Sequence, residues 1–190
     1  MCDRCAEGLL FFGLAEPQEA MLESYQVALK RGWSPNNGRD VSAEHLAAIA
    51  ADPRAFLATL LEQTGTYALP DGTIVEKLPS VLRWMWDGEF CGAISRRYQP
   101  GTAALPSHVS GHIGYAVVPW KRNHGYASKA LKQVLDDARE LGLPHVEITT
   151  QPDNLASRFV IEHNGGTLAG AWSHASVHGG MAMERWVVSL

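Results

Sequence analysis

Two hydrophobic periods alternate along the chain. The short apolar run from Gly8 to Leu14, closed by Glu16-Pro17, predicts a first strand that leaves into a loop. Residues 18–31 then place Ala20, Met21, Tyr25, Ala28 and Leu29 at helical spacing, and Gly32 stops them. After a loop over 34–40, Ser42 with Glu44 and His45 behind it opens a second helical stretch, carried on by Leu46, Ile49, Phe56, Leu57, Leu60 and Leu61. Pro53 lies inside that stretch and has no amide proton to give to the preceding turn, so two helices are expected rather than one.

The second half changes period more often. Residues 81–86 and 89–97 flank Asp87-Gly88, a dipeptide that favours the positive φ of a tight hairpin, and predict two antiparallel strands. Residues 99–110, with Pro100, Gly101 and Pro106, form a loop long enough to be functional. His112 to Val118 reads as a strand ended by Pro119. Gly125 to Leu141 reads as a helix with Ala127, Ala130, Leu131, Val134, Leu135 and Ala138 on one face. The β-branched run Val146 to Thr150 is a further strand, and Asp153 or Asn154 caps a helix that leaves through Asn164-Gly165-Gly166. Thr167 to Trp172 and Met181 to Val188 close the order as strands. The expected fold is α/β of the α+β kind, a mixed, mostly antiparallel central sheet with helices on both faces. There is no internal repeat, and 190 residues make one domain, 1–190.

Composition narrows the chemistry. Sixteen Lys and Arg against 20 Asp and Glu leave a formal charge of −4, without the broad cationic surface that nucleic acid needs. The three cysteines, Cys2, Cys5 and Cys91, show no disulfide spacing, and Cys2-x-x-Cys5 has no second pair to complete a zinc site, so no metal is expected. Neither a leader nor an apolar run of about 18 residues is present, and a cytoplasmic protein without membrane contact is expected.

The stretch from Val117 to Ala127 carries the most chemistry: a strand end, a short basic turn and a helix that begins with small residues. A helix start offers unpaired amides and partial positive charge, and a glycine there lets phosphate oxygens approach the main chain. An ordinary strand-to-helix turn is the plainer interpretation of the same residues. Neither the Walker pattern nor a G-x-G-x-x-G after a strand occurs, so nucleotide triphosphate and dinucleotide readings lack their glycines.

Arg122-x-x-Gly125-x-Ala127 resembles the R/Q-x-x-G-x-G/A pattern of the GNAT superfamily of acyl-CoA-dependent N-acyltransferases, and Asn154-Leu155-Ala156-Ser157 is similar to the N-x-x-A/S block on that family's following helix. The resemblance covers residues 81–172, which would be the cofactor-binding core. It implies acetyl-CoA as co-substrate and direct transfer of its acetyl group to an amine. Backbone groups of Val117 and Val118 would pair with the pantetheine arm. The amides of Asn123, His124, Gly125, Tyr126 and Ala127 would hold the pyrophosphate beside Arg122, and Asn154 and Ser157 would line the other side. Lys129 and Lys132 are expected first as solvated helix lysines, with reach to the adenosine phosphates as the alternative.

The acid and base are less plain. Seven residues beyond Asn154, where the family often carries a tyrosine acid, this chain has Ile161, and Phe159 cannot replace it. Six residues before Val117, where some members carry a base, stands Gly111. His112, next to it, is a candidate base, although strand alternation turns it the other way. Tyr115 shares the parity of Gly111, and Glu147 on the next strand is the third candidate. His108, His174 and His178 are expected in solvent-exposed loops, Cys91 in the core, and most of the six tryptophans in the core. The acceptor would be a small-molecule or peptide amine, with the net acidity favouring a cationic one. A homodimer through exposed strand edges is one expectation for the assembly. The alternatives to an enzyme are a non-catalytic acyl-CoA-binding sensor and, behind it, an interaction module on the same scaffold.

Overall fold

A computed structural model describes residues 12–36, 39–173 and 181–190. Cys2, Cys5, His174, His178 and the start of the first predicted strand lie outside them. Strand β1 (Gly13–Ala15) leads through a 3-10 turn into α1 (Leu22–Lys30), and α2 (Ser42–Ala51) and α3 (Pro53–Leu61) follow. The break at Pro53 is where the sequence puts it. Asp52 turns extended, and its carboxylate accepts the amides of Arg54 and Ala55 at 2.9 and 3.0 Å, capping the helix that the proline begins.

Two short exposed strands, β2 (Thr66–Ala68) and β3 (Ile74–Glu76), pair as a hairpin that the hydrophobic pattern does not predict. Three residues are too few for an alternation to show. The usable signal was Asp71-Gly72, where the Asp71 carboxylate accepts the Thr73 amide and Gly72 takes φ 84°. Strands β4 (Ser80–Trp86) and β5 (Phe90–Arg97) then form the predicted hairpin, with Gly88 at φ 105°. After the 99–110 loop come β6 (Ile113–Val117), α4 (Tyr126–Glu140), β7 (His145–Thr150), α5 (Leu155–His163), β8 (Thr167–Trp172) and β9 (Met183–Ser189).

The strands fall into two halves, ordered β1-β4-β5-β6 and β7-β9-β8, and every pairing registered within them is antiparallel. Alternation along β4 and β5, reset where the register shifts between Met85 and Trp86 opposite Cys91, feeds two cores. Trp84 and Phe90 face α1, where Tyr25, Leu29, Trp33 and Phe56 pack on them. Met85, Cys91 and Ile94 face α4, with Leu131, Val134, Ile148, Ile161 and Trp186. Helices therefore lie on both sides. Each large side chain buried in this way contributes about 1.5–3 kcal/mol.

β6 and β7 meet only at one end. The His112 amide donates to the Glu147 carbonyl at 2.7 Å, and the Glu147 amide donates to His112 Nδ1 at 2.9 Å. A Cβ on Gly111 would lie 2.9 Å from the Glu147 carbonyl oxygen and 3.3 Å from Ile148 Cα, so the approach requires glycine at that position. Beyond this clasp no β6–β7 pairing is registered among the described residues. The two half-sheets splay, and the Val117 end of β6 borders the opening.

Candidate active site

Hydrogen bonding along β6 determines which peptide groups face the splay. The Arg97 amide donates to the His112 carbonyl and the Val118 amide to the Cys91 carbonyl, so Gly92 and Val117 form a non-hydrogen-bonded pair. The N–H and C=O of Val117 therefore point away from β5. Those of Val118 are committed inside the fold, the amide to Cys91 and the carbonyl to the Lys121 amide at 3.0 Å. Of the two valines expected to pair with an extended ligand, Val117 alone offers both backbone groups. Arg122 Nε, 3.3 Å from the Val117 carbonyl, covers one of them.

Beyond Val118 a 3-10 turn, Pro119–Lys121, carries the chain to α4. Residues 122–125 are exposed, and two of them adopt left-handed backbone, Asn123 at φ 63° and Gly125 at φ 73°. Alternation of this kind turns successive amides inward as an anion nest. Gly125 offers no side chain to cap α4, so the amides of the first helical turn have no cap from that position, and a Cβ built on it meets nothing within 4 Å. His124 turns away, its Nδ1 2.7 Å from the Arg122 carbonyl oxygen.

A groove of about 380 Å³ runs on along α4, lined by Ser128, Lys129, Lys132, Arg139, His163 and Asn164 among others. Asn164 closes its floor by donating to Ser128 Oγ at 3.0 Å. A strand edge whose Val117 peptide faces away from β5, a nest of amides and a cationic groove follow one another along the chain, and together they fit an extended ligand carrying a diphosphate.

Asn154 and Ser157 stand at the start of α5. Asn154 caps that helix by accepting the Ser157 amide at 3.1 Å. The Ser157 hydroxyl lies 2.9 Å from Tyr115 Oη, so a tyrosine from β6 reaches across the splay to α5. Burial pushes the Tyr115 phenol up to about 12, against the lowering effect of its hydrogen bond with Ser157. Ile161, one turn further along α5, is wholly buried and packs the core.

The structure places the other two catalytic candidates in the β6–β7 clasp. His112 is fully buried in the clasp, and its Nδ1 lone pair holds a backbone amide, so the ring is not open to a substrate. Desolvation first, then the neighbouring His145 and Arg97, push it down to about 4, and the pull of the Ala103 carbonyl falls short of a full hydrogen bond at Nε2. Glu147 gives its backbone to that clasp and turns its carboxylate towards Arg185, 3.9 Å away on β9. His108, expected in solvent, has a buried, unpartnered Nε2 beside the Tyr67 ring.

The clasp predicts a pH dependence of stability. A histidine lowered from 6.5 to about 4 on folding leaves the unfolded chain holding the extra proton between those values. Its contribution is complete above pH 6.5 and is lost as pH falls towards 4. Melting temperatures across that window should decline, and more shallowly in His112→Gln, which keeps an acceptor but does not titrate.

Among the described residues, no cluster of His, Cys, Asp and Glu could hold a metal, and no helix is long and apolar enough to cross a membrane. No curated protein matches the chain. Many solved structures share its fold, among them the following three. RimJ of Mycobacterium smegmatis, in complex with CoA-disulfide, is 20% identical, with 94% of this chain and 81% of that one covered and a TM-score of 0.63. The Salmonella typhimurium enzyme that modifies the N-terminal serine of ribosomal protein L7/L12 is 16% identical, covers 94% and 95%, and scores 0.61. The microcin C7 self-immunity acetyltransferase MccE, in complex with acetyl-CoA and AMP, is 13% identical, covers 94% and 92%, and scores 0.60. A family model described as the Acetyltransferase (GNAT) domain matches residues 39–167. With most of the chain inside that match, this protein belongs to the GNAT acetyltransferases, which carry the acetyl group of acetyl-CoA to an amine.

Proposed function

We propose that this enzyme acetylates a primary amine by direct attack on acetyl-CoA held along Val117 and the 122–127 turn. The observation that carries the reading is the Val117 peptide turned away from β5, its carbonyl met only by the exposed Arg122 side chain, in sequence next to the exposed nest before α4. Acetyl-CoA supplies the activated acyl group. The amides of Asn123, His124, Gly125, Tyr126 and Ala127 hold its pyrophosphate, Arg122 releases the Val117 carbonyl and adds charge, Lys129 and Lys132 meet the adenosine phosphates, and Asn154 and Ser157 border the arm. Binding along an open strand edge fixes the donor in register, and orientation supplies much of the rate.

Tyr115 is the group best placed to assist the departing sulfur. With its phenol raised to about 12 it stays protonated at working pH and acts by donating a hydrogen bond where negative charge develops. With His112 buried and Gly111 without a side chain, the amine loses its proton to solvent. Tyr115→Phe is expected to lower kcat roughly tenfold to a hundredfold with little change in KM for acetyl-CoA. Equal kcat in the two proteins would remove Tyr115 from the mechanism.

The neighbour that modifies the N-terminal serine of L7/L12 makes a peptide α-amine one acceptor class to test, and small-molecule amines are the other. The absence of a disulfide spacing among three cysteines supports a cytoplasmic setting, and the exposed edge strand β8 supports pairing of two copies. Thiol release against a panel of both amine classes tests the function. The sensor reading rests on Ile161 standing where the family tyrosine is expected, and tight acetyl-CoA binding without turnover on any acceptor would select it.

A further inference from the structure

The turn read as the pyrophosphate site lies between the 3-10 turn and α4, outside regular secondary structure. Residues 122–125 are exposed, two of them are left-handed, and the turn is bounded by Lys121, the last residue of the 3-10 turn, and Tyr126, the first of α4. Both boundary side chains run to the same acceptor. Asp87, in the tight turn between β4 and β5, receives Lys121 Nζ at 2.9 and 3.1 Å and the Tyr126 hydroxyl at 2.5 Å. Asp87 is only 7% exposed, and Lys121 also meets Glu89 at 3.3 Å. Phe12 stacks on the outer face of Tyr126 with ring centroids 4.8 Å apart.

We infer that Asp87 is a positioning residue for acetyl-CoA: by holding Lys121 and Tyr126 together, one carboxylate fixes both ends of the 122–125 loop and presets its amides for the pyrophosphate. The inference rests on reading 122–127 as the pyrophosphate site. A loop fixed before binding does not lose its conformational freedom on binding, so the cost of ordering it falls on folding instead. The ion pair also assigns the charges. Lys121 is neutralised by Asp87 and Glu89, which leaves Arg122 as the cation next to the nest. The remaining members support the arrangement. Burial tends to raise the Asp87 carboxyl, but hydrogen bonds from Tyr126, Lys121 and Cys91 outweigh it, and the group is held below its ordinary range.

The role is separable from general stability because acetyl donors differ in whether they carry a pyrophosphate. S-acetylpantetheine has the thioester and the arm but not the diphosphate. Asp87→Ala should lower kcat/KM for acetyl-CoA about tenfold, the scale of one or two lost charge-assisted hydrogen bonds, and leave kcat/KM for S-acetylpantetheine within about twofold. Asp87→Glu should restore part of the loss. Tyr126→Phe, which removes one tie without exposing a buried charge, should show the same selectivity at about threefold, and the double variant should lose no more than Asp87→Ala because the ties act together. Equal loss with both donors, or no loss with either, in folded Asp87→Ala or Tyr126→Phe would overturn the role. Gly125→Glu serves as the control. If it too fails to distinguish the donors, the fault lies in placing the pyrophosphate at this turn and not in Asp87.

Discussion

Gly125→Glu should abolish acetyl-CoA binding in a protein that still folds. The glycine sits at φ 73° with open space around its missing Cβ, so any side chain there carries a left-handed backbone cost of about 1–2 kcal/mol without a clash. Gly125→Ala measures that cost alone and should bind acetyl-CoA with a modest loss. Glutamate adds a carboxylate at the open mouth of the nest, where the amides and the start of α4 attract an anion. It competes for those amides and repels the pyrophosphate, and kcat/KM for acetyl-CoA should fall at least a hundredfold, about 2.7 kcal/mol. The melting temperature without ligand should stay close to that of Gly125→Ala.

The second large effect lies one strand away. Gly92 pairs with Val117 at φ 150°, and a Cβ on it would sit inside contact distance of the Ala116 carbonyl oxygen and 2.9 Å from Val117 Cα. Both are backbone atoms that cannot swing aside. Gly92→Ala should cost about 3 kcal/mol or more, from overpacking together with a positive φ. Because the push falls on the residue whose peptide faces the splay, activity should drop further than the fraction folded explains. Denaturant melts with activity measured on the same samples test this. Unchanged stability and turnover would mean that β5 and β6 are not this close.

The two predictions draw on different kinds of legibility. The turn at 122–127 was readable because a basic residue, a glycine and a small residue at set spacing precede a strongly amphipathic helix, and all the information is local. The break at Pro53 and the Asp87-Gly88 hairpin were readable for the same reason. The division into two half-sheets was not, because it depends on β6 and β7 touching at a single point 35 residues apart in sequence. His112 shows the limit well. A histidine beside an expected catalytic position looks like a base, and only the Glu147 amide lodged on its Nδ1 shows it to be a clasp. Tyr115 could be assigned a strand face but not its reach to Ser157 on α5. Asp87 was read as a turn residue on φ preference alone, and nothing in its neighbourhood announced Lys121 and Tyr126, 34 and 39 positions later.

The most direct measurement combines two assays on one preparation: thermal shift with acetyl-CoA, and acetyl-CoA-dependent thiol release with peptide and small-molecule amines. Ligand at about a hundred times its Kd should stabilise the protein by about 2.7 kcal/mol, and at least one amine should release thiol in proportion to the acetyl group it gains. The absence of both, no stabilisation by acetyl-CoA and no thiol release with any amine, would contradict the placement of the donor along Val117 and the 122–127 turn.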